Sequence, residues 1–443
     1  MLLNYLKKIF SLILNYLSSL ILSVGIILSS PYLCALSWRI SIFRINKLDF
    51  FSKYKRKVES NKKILVFYRN YGVDDLEYLI RDNLNQYEFV FFQRSDIKKI
   101  FNKFFSKYPI KISDDNYMIQ DKDLEKIKQN YKIFIKKALE YFVKKIKFSG
   151  IISFNFRYCT EKEVHKACDE LGIIFIVCHK ESLIMENESE AYIKLISKNG
   201  KYDGSLITVY TEQFKKYLLS SKICEEKKIH VIGMPRADYY FKNNIEKKKE
   251  HILFLIPNVR QPFGVKKIFN KDHYTTEVTK ILLEFARNHY SEKIIFKSKV
   301  YLDHEKKQHE LVSDSKLKNC IFLKGGDSRN LIKDAKIVIG FNSTGLIEAL
   351  INRKNTIVPC LENEDIEVKE NFNNYTLKLD TFANYVYSKN EMMDCLKKIC
   401  REEISFNENK DDKLNKIIEY YIGNNDGKSS IRLNEVLNKI INK

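Results

Sequence analysis

Lys336–Ile351 reads KIVIGFNSTGLIEALI, and the order of its parts predicts a buried strand, a tight polar loop and a helix. KIVIGF is a short apolar, β-branched run of the kind that fills a parallel sheet. Asn342, Ser343 and Thr344 are residue types that cap helix N-termini, and Gly345 relaxes the turn. Such a junction gathers free backbone N–H groups and the positive end of a helix dipole at one point, which suits a phosphate. Glu348, one turn further on, is placed to meet a ribose hydroxyl. The same residues also serve as an ordinary capped helix start, with Glu348 a carboxylate favoured by the dipole. Glu348 lies five and four residues beyond Ser343 and Thr344, so it is not a capping-box partner.

Working outward, short strands are expected on the N-terminal side at 64–68, 89–92, 150–154, 173–178 and 206–210. Helical patterns lie between them at 74–84, 122–147 and 160–171. After the polar, Lys-rich segment 242–250 the alternation restarts, with strands near 252–256, 294–296, 320–323, 336–341 and 356–358. Helices are expected at 275–288, 328–333, 346–351 and 391–402, and two more at 413–422 and 430–441 close the chain. Alternation of this kind implies parallel sheets with crossover helices. The fold class is therefore α/β, with two Rossmann-like doubly wound domains and a cleft between them. Ligands then sit at the carboxyl ends of the strands. The domains are drawn at 51–242 and 250–425, preceded by a hydrophobic segment and basic flank at 1–50 and followed by a helix at 426–443 that packs back on the body.

With 443 residues the chain is long enough for two cores. A net charge of +21 invites a nucleic-acid reading. Lys is spread along nearly the whole chain, however, and no nucleic-acid-binding motif is present, so a basic surface facing anionic lipid or nucleotide is preferred. The nine cysteines show no CxxC pair, which predicts reduced thiols rather than disulfides or zinc. Ile9–Leu28 carries no charge and is long enough to cross a bilayer. The heavier basic flank after it (Arg39, Arg44, Lys47, Lys53, Lys55, Arg56, Lys57) favours a cytosolic body. A helix lying in the interface and a cleaved signal peptide are the alternatives.

Two further groups carry chemistry. Cys178-His179-Lys180-Glu181-Ser182 follows a strand and offers a base and a cation, or else an ordinary charged loop. Arg260, just past the first strand of the second half, and Lys297, at the end of the second, are cations of the type a diphosphate needs. No Asp-x-Asp at a strand end calls for a metal, and no P-loop, GxSxG or GxGxxG is present.

With those residues in hand, the chain resembles the GT-B glycosyltransferases of surface-carbohydrate biosynthesis, of capsule and lipopolysaccharide. More distantly it is similar to the CDP-glycerol glycerophosphotransferases. The segments that carry the resemblance are GFNSTGLIEALINRKNTIVP (340–359), VIGMPRADYYF (231–241), ELGIIFIVCHKESL (170–183) and DGKSSIRL (426–433). It implies that Asn342, Ser343 and Thr344 hold donor phosphate, Glu348 the ribose, and Lys297 and Arg260 the diphosphate. It also assigns catalytic duty to Glu181, His179 and Lys180. Similar enzymes often carry Lys-Pro-His where this chain has Lys297-Ser298-Lys299, and a Gly-Lys turn where it has Asn352-Arg353-Lys354. The implied activity is metal-independent and cofactor-free transfer of a sugar from a nucleotide-sugar donor to a lipid-linked glycan, at the cytosolic membrane surface. The alternatives are glycerophosphate transfer, sugar 2-epimerisation and a non-catalytic scaffold.

Overall fold

The computed structural model describes residues 2–47, 62–68, 73–81, 87–180, 183–184, 188–242, 250–257, 271–298, 306–361, 377–406 and 411–442. The chain forms two compact units. The first comprises residues 1–182, 193–238 and 428–443, and the second 183–192 and 239–427.

Unit one opens with two helices, α1 (Leu2–Ile27) and α2 (Pro31–Lys47). Then come β1 (Lys63–Tyr68), α3 (Val73–Arg81), β2 (Glu88–Gln93), α4 (Arg94–Phe105), α5 (Lys122–Ile146), β3 (Phe148–Ser153), α6 (Cys159–Glu170) and β4 (Ile174–Cys178). α7 (Ser189–Ser197), β5 (Leu206–Val209), α8 (Glu212–Ser220) and β6 (Ile229–Val231) follow. All pairings in its sheet are parallel, in the order β2-β1-β3-β4-β5-β6. The β1 sequence KILVFY is buried over its four central residues, the unbroken apolar run that a sheet covered on both faces demands.

α2 closes the open edge of that sheet. Asn46 bonds both backbone groups of Phe91 in β2, donating to its carbonyl at 2.8 Å and accepting from its N–H at 2.9 Å. Trp38, 1% exposed, sits edge-on to Phe92 and Phe142 at 5.4 and 5.5 Å. Each aromatic pair adds about 0.5–1.5 kcal/mol beyond its buried area. A buried ion pair joins three elements further in. Arg94, at the start of α4, bonds Glu161 of α6 and donates to Thr160 Oγ1 at 2.8 Å. Ser153, the last residue of β3, donates to the other Glu161 oxygen at 2.5 Å.

The closing helix, Ser429–Ile441, belongs to this unit. Its N-terminus is capped by a residue far away in sequence. Asp238 Oδ1 accepts from Ser429 N at 3.1 Å and Oδ2 from Ser430 N at 2.7 Å. Gly233, at φ +81°, makes the turn beneath it, where a Cβ would meet Ser429 Oγ at 2.4 Å. Segments 231–241 and 426–433 are thus two halves of one junction. Asp238 serves that cap.

In unit two, α9 (Tyr239–Lys242), β7 (His251–Leu255), α10 (Lys271–Asn288), β8 (Ile294–Ser298), α11 (Lys306–Asp314), β9 (Cys320–Lys324) and α12 (Arg329–Asp334) lead to β10 (Ala335–Ile339). α13 (Thr344–Ile351), β11 (Asn355–Pro359), β12 (Asn384–Val386) and the helices Lys389–Cys400 and Asp411–Ile422 follow. The sheet is again parallel, ordered β12-β11-β10-β7-β8-β9. Strand order reverses between β7 and β10, so the crevice at their carboxyl ends is the topological switch point. Two doubly wound α/β units and an apolar N-terminal helix are what the sequence leads one to expect.

Candidate functional site

The loop 340–343 leaves β10 at that switch point. Ile339 is in register with Phe254 of β7, and Phe254 with Phe296 of β8. One row further toward the carboxyl edge, Leu255 is in register with Lys297. Gly340 occupies the same row on the other side, where a Cβ would lie 3.6 Å from Leu255 Cβ. With strands about 4.8 Å apart, the backbones of Gly340 and Lys297 are about 10 Å from each other across Leu255. The row therefore brings the capped helix start and a cation to one edge of one sheet.

Ser343 is the N-cap of α13, in extended backbone. Its Oγ accepts from Gly345 N at 3.2 Å and its carbonyl from Leu346 N at 3.0 Å. Gly345 lies close against β7, since a Cβ there would meet Leu255 Cδ1 at 2.5 Å and push that side chain aside. That contact seats the helix end directly on the β7 terminus. Asn342, Ser343 and Thr344 are half-buried. Asn342 Oδ1 accepts from Leu377 N at 3.0 Å, which fixes the amide beside the loop. Lys297 is buried, with Nζ donating to the Ser298 carbonyl at 3.0 Å. The Ser298 hydroxyl is also buried, and no hydrogen-bond partner for it exists among the described residues.

Glu348 is buried further along α13. The Tyr240 hydroxyl donates to its Oε2 at 2.6 Å, and burial followed by the Glu348 charge pushes that phenol well above its usual range. Arg329 and Asp327 both act electrostatically on Tyr240. Arg329 holds Asp327 at 2.7 Å and lies over the Tyr239 ring at 5.3 Å. Sequence reasoning missed this aromatic and charged support around Glu348. Its only local signal is the pair of adjacent tyrosines after Asp238.

Arg353, in the Asn352-Arg353-Lys354 turn, takes φ +54°, the left-handed position usually given to glycine after a helix. The departure from a Gly-Lys turn therefore leaves the turn geometry in place.

His179 and Lys180 belong to unit one. His179 follows β4 at its carboxyl end, buried between the rings of Phe156 and Phe214 at 4.8 and 4.7 Å. Its backbone N–H donates to the Thr208 carbonyl at 2.9 Å. Lys180 is half-buried, whereas Glu181 and Arg260 lie outside the described residues. Close to this strand end stands a pair that the sequence did not single out. The Tyr210 hydroxyl, just past β5, donates to Asp75 Oδ2 at 2.5 Å. Asp75 is fully buried, and its Oδ1 has no hydrogen-bond partner among the described residues. Burial and the Asp75 charge push the Tyr210 phenol well up. In the sequence Asp75 reads only as a first-turn acid of α3. Among the described residues no three His, Cys, Asp or Glu side chains converge as a metal site would require.

Two parallel doubly wound units, one bearing an anion-suited helix end at its switch point, define an α/β protein of the GT-B type. Among solved structures the chain is similar to the wall teichoic acid polymerase TagF, with a TM-score of 0.53 at 11% identity over 96% of this chain and 98% of that one. The UDP-GlcNAc 2-epimerase from Neisseria meningitidis, bound to UDP-GlcNAc, gives a TM-score of 0.47 at 15% identity over 85% of this chain and 100% of that one. The UDP-GlcNAc 2-epimerase from Methanocaldococcus jannaschii gives 0.47 at 17% identity, over 85% and 99%. At such identities the likeness to the polymerase is one of fold. No protein-family model matches the chain, and no curated protein matches it.

Proposed function

We propose that the protein is a glycosyltransferase that takes a nucleotide-sugar donor in unit two and transfers the sugar to a lipid-linked surface glycan at the cytosolic face of the membrane. The observation that carries this reading is the Ser343-capped start of α13 at the switch point, in one sheet row with buried Lys297. Backbone N–H groups, a helix dipole and a cation at one edge of one sheet stabilise the charge that builds on a departing nucleoside diphosphate. Ser343, Thr344 and Asn342 take the phosphates, Lys297 and Arg260 the diphosphate charge, and Glu348 the ribose. These cations make a divalent metal unnecessary in this reading.

In the reaction an acceptor hydroxyl attacks the anomeric carbon, and the bond from that carbon to the phosphate oxygen breaks. The nucleoside diphosphate leaves, and the acceptor proton passes to Glu181 or His179, with Lys180 a cation for an anionic acceptor. α1, apolar and near the N-terminus, supports placing the body beside a membrane. A basic chain suits both an anionic donor and an anionic bilayer.

A second reading, glycerophosphate transfer, draws support from the fold shared with a wall teichoic acid polymerase along nearly the whole chain. The two differ in leaving group. Sugar transfer frees a nucleoside diphosphate, or CMP where the donor is a CMP-linked sugar, whereas glycerophosphate transfer from CDP-glycerol breaks the pyrophosphate link and frees CMP from that donor. The purified full chain is incubated with acceptor-bearing membranes and, in turn, UDP-, GDP- and CDP-linked sugars, CMP-linked sugars and CDP-glycerol. Acceptor-dependent release of a nucleoside diphosphate from a nucleoside-diphosphate sugar, or of CMP from a CMP-linked sugar, is the expected result. Release of CMP from CDP-glycerol moves the assignment to the second reading. Interconversion of the sugar without acceptor or nucleotide release makes the protein an epimerase, and no turnover of any donor favours a scaffold.

A further inference from the structure

The N-terminal apolar helix carries two faces of unequal fate. Along one face Ser18, Leu22 and Gly25 are buried and Ser11 and Leu14 half-buried, a spacing of three and four residues. This face lies on α2. Ser37 Oγ donates to the Ser18 carbonyl at 2.6 Å, and a Cβ on Gly25 would stand 2.9 Å from Leu33 Cβ and 3.0 Å from Cys34 N. α2 is itself fixed to the sheet edge through Trp38 and Asn46. The axis of α1 is therefore tied to the body from about Ser11 to Gly25. Standing it across a bilayer would break the Ser18–Ser37 bond and open the Gly25 contact.

The opposite face is apolar and open. Leu12 is 62% exposed, Tyr16 73%, Leu20 48% and Ile27 69%, against 1% for Leu22 on the inner face. Exposed apolar surface of that extent marks an interaction site. The charge pattern indicates what covers it. Residues 1–48 carry Lys7, Lys8, Arg39, Arg44 and Lys47 and no acidic residue, and Lys7, Lys8 and Arg39 are exposed. An apolar face with cations and no acids around it matches an anionic lipid surface.

We propose that α1 does not span the membrane but lies in its plane, held by α2 as a hairpin on unit one, with Leu12, Tyr16, Leu20 and Ile27 sunk into an anionic leaflet. This deepens the membrane placement under the proposed function, and it is independent of which donor the protein uses. Both ends of α1 then lie on the same side of the bilayer as the body.

The test uses the full chain in two assays. In the first, purified protein is floated with vesicles of phosphatidylcholine alone or with phosphatidylglycerol added, whose negative surface potential attracts basic segments. The wild type floats with the anionic vesicles. The triple variant Leu12→Asp, Tyr16→Asp, Leu20→Asp loses at least about tenfold in binding, since three charges enter the apolar boundary, with its melting temperature unchanged. In the second, epitope tags at both termini are exposed to protease in inverted and right-side-out membrane vesicles, and both are cut in the inverted ones alone. Cleavage of the two tags in opposite preparations means a spanning helix and overturns the proposal. So does undiminished flotation of the triple variant. A wild type that ignores vesicles but is converted from dimer to monomer by the triple variant overturns it in favour of a second copy of the chain. Nucleotide binding is measured on the same variant. Lost flotation with intact nucleotide binding isolates the membrane face from the donor site, and a wild type that binds nucleotide but does not float overturns this inference while leaving the donor reading standing.

Discussion

Single residues show how much burial can alter the chemistry of a side chain. Lys162, in α6, is buried, and desolvation is the largest influence on it, lowering its pKa from 10.5 to about 8. The folded pKa lies below the unfolded one, so from about pH 8 to 10.5 the unfolded chain binds more protons and this group makes stability rise with pH. Below about pH 8 the charge is present in both states and its full desolvation cost is felt. Lys162→Met should therefore raise stability at pH 7 by about 1–3 kcal/mol. The gain should shrink as pH climbs toward 10, and urea melts of both proteins across that range measure it. An unchanged difference at all pH values would mean that Lys162 is not desolvated. Tyr240 and Glu348 make a second residue-scale case. Tyr240→Phe leaves a buried carboxylate oxygen without its phenol, at a cost of about 1–3 kcal/mol. If Glu348 also holds a ribose, donor affinity falls together with stability. Retained affinity in that variant, and in Glu348→Gln, would leave Glu348 as a packing group alone.

Elements are decided by caps and edges as much as by propensity. The 25-residue helix α5 begins at Asp121, whose side chain accepts from Leu124 N, and ends at Lys147 in left-handed backbone at φ +52°. Lys147 is exposed, and glycine accepts this conformation without the Cβ clash. Lys147→Gly should stabilise the fold by about 0.5–1 kcal/mol, read as a shift in the denaturation midpoint. Asp238→Ala should do the opposite, because two backbone donors of the closing helix lose their acceptor and a cap of this kind is worth about 1–2 kcal/mol.

These two sites also mark what was legible. Strands such as Lys63–Tyr68 and Asn355–Pro359 announce themselves by short apolar runs, and their bounds fall within a residue or two of those read from sequence. Helices α4, α8 and α11 were not read, because charged residues blur their apolar stripes. Asp238 gives no sign of its capping role for a different reason: its partners stand 191 and 192 residues away, and nothing local signals a distant helix end. At the site, Ser343 was legible because an N-cap is a local device. Asp75 and Tyr210 were not, because a helix residue and a strand end 135 residues apart in sequence meet only in the folded unit.

At the scale of the whole molecule, the same doubly wound plan is used twice, and the closing helix brings the C-terminus back to unit one. The repetition is not symmetric in chemistry. Unit one carries the N-terminal helical hairpin together with His179, Asp75 and Tyr210, and unit two carries the capped helix end with Lys297 and Glu348. In the proposed reading the acceptor and the lipid surface fall to the first unit and the activated donor to the second. The central claim is that nucleotide phosphate binds at the start of α13. Calorimetric titration of the full chain with UDP, GDP, CMP and CDP, beside Ser343→Ala/Thr344→Ala, tests it most directly. The double variant should lose about 1 kcal/mol of stability with its cap, which a parallel melt registers separately. The account predicts one nucleotide bound by the wild type and at least about tenfold weaker binding by the folded double variant, the loss expected when charge-assisted bonds to phosphate are removed. Equal affinity in the two proteins would contradict it.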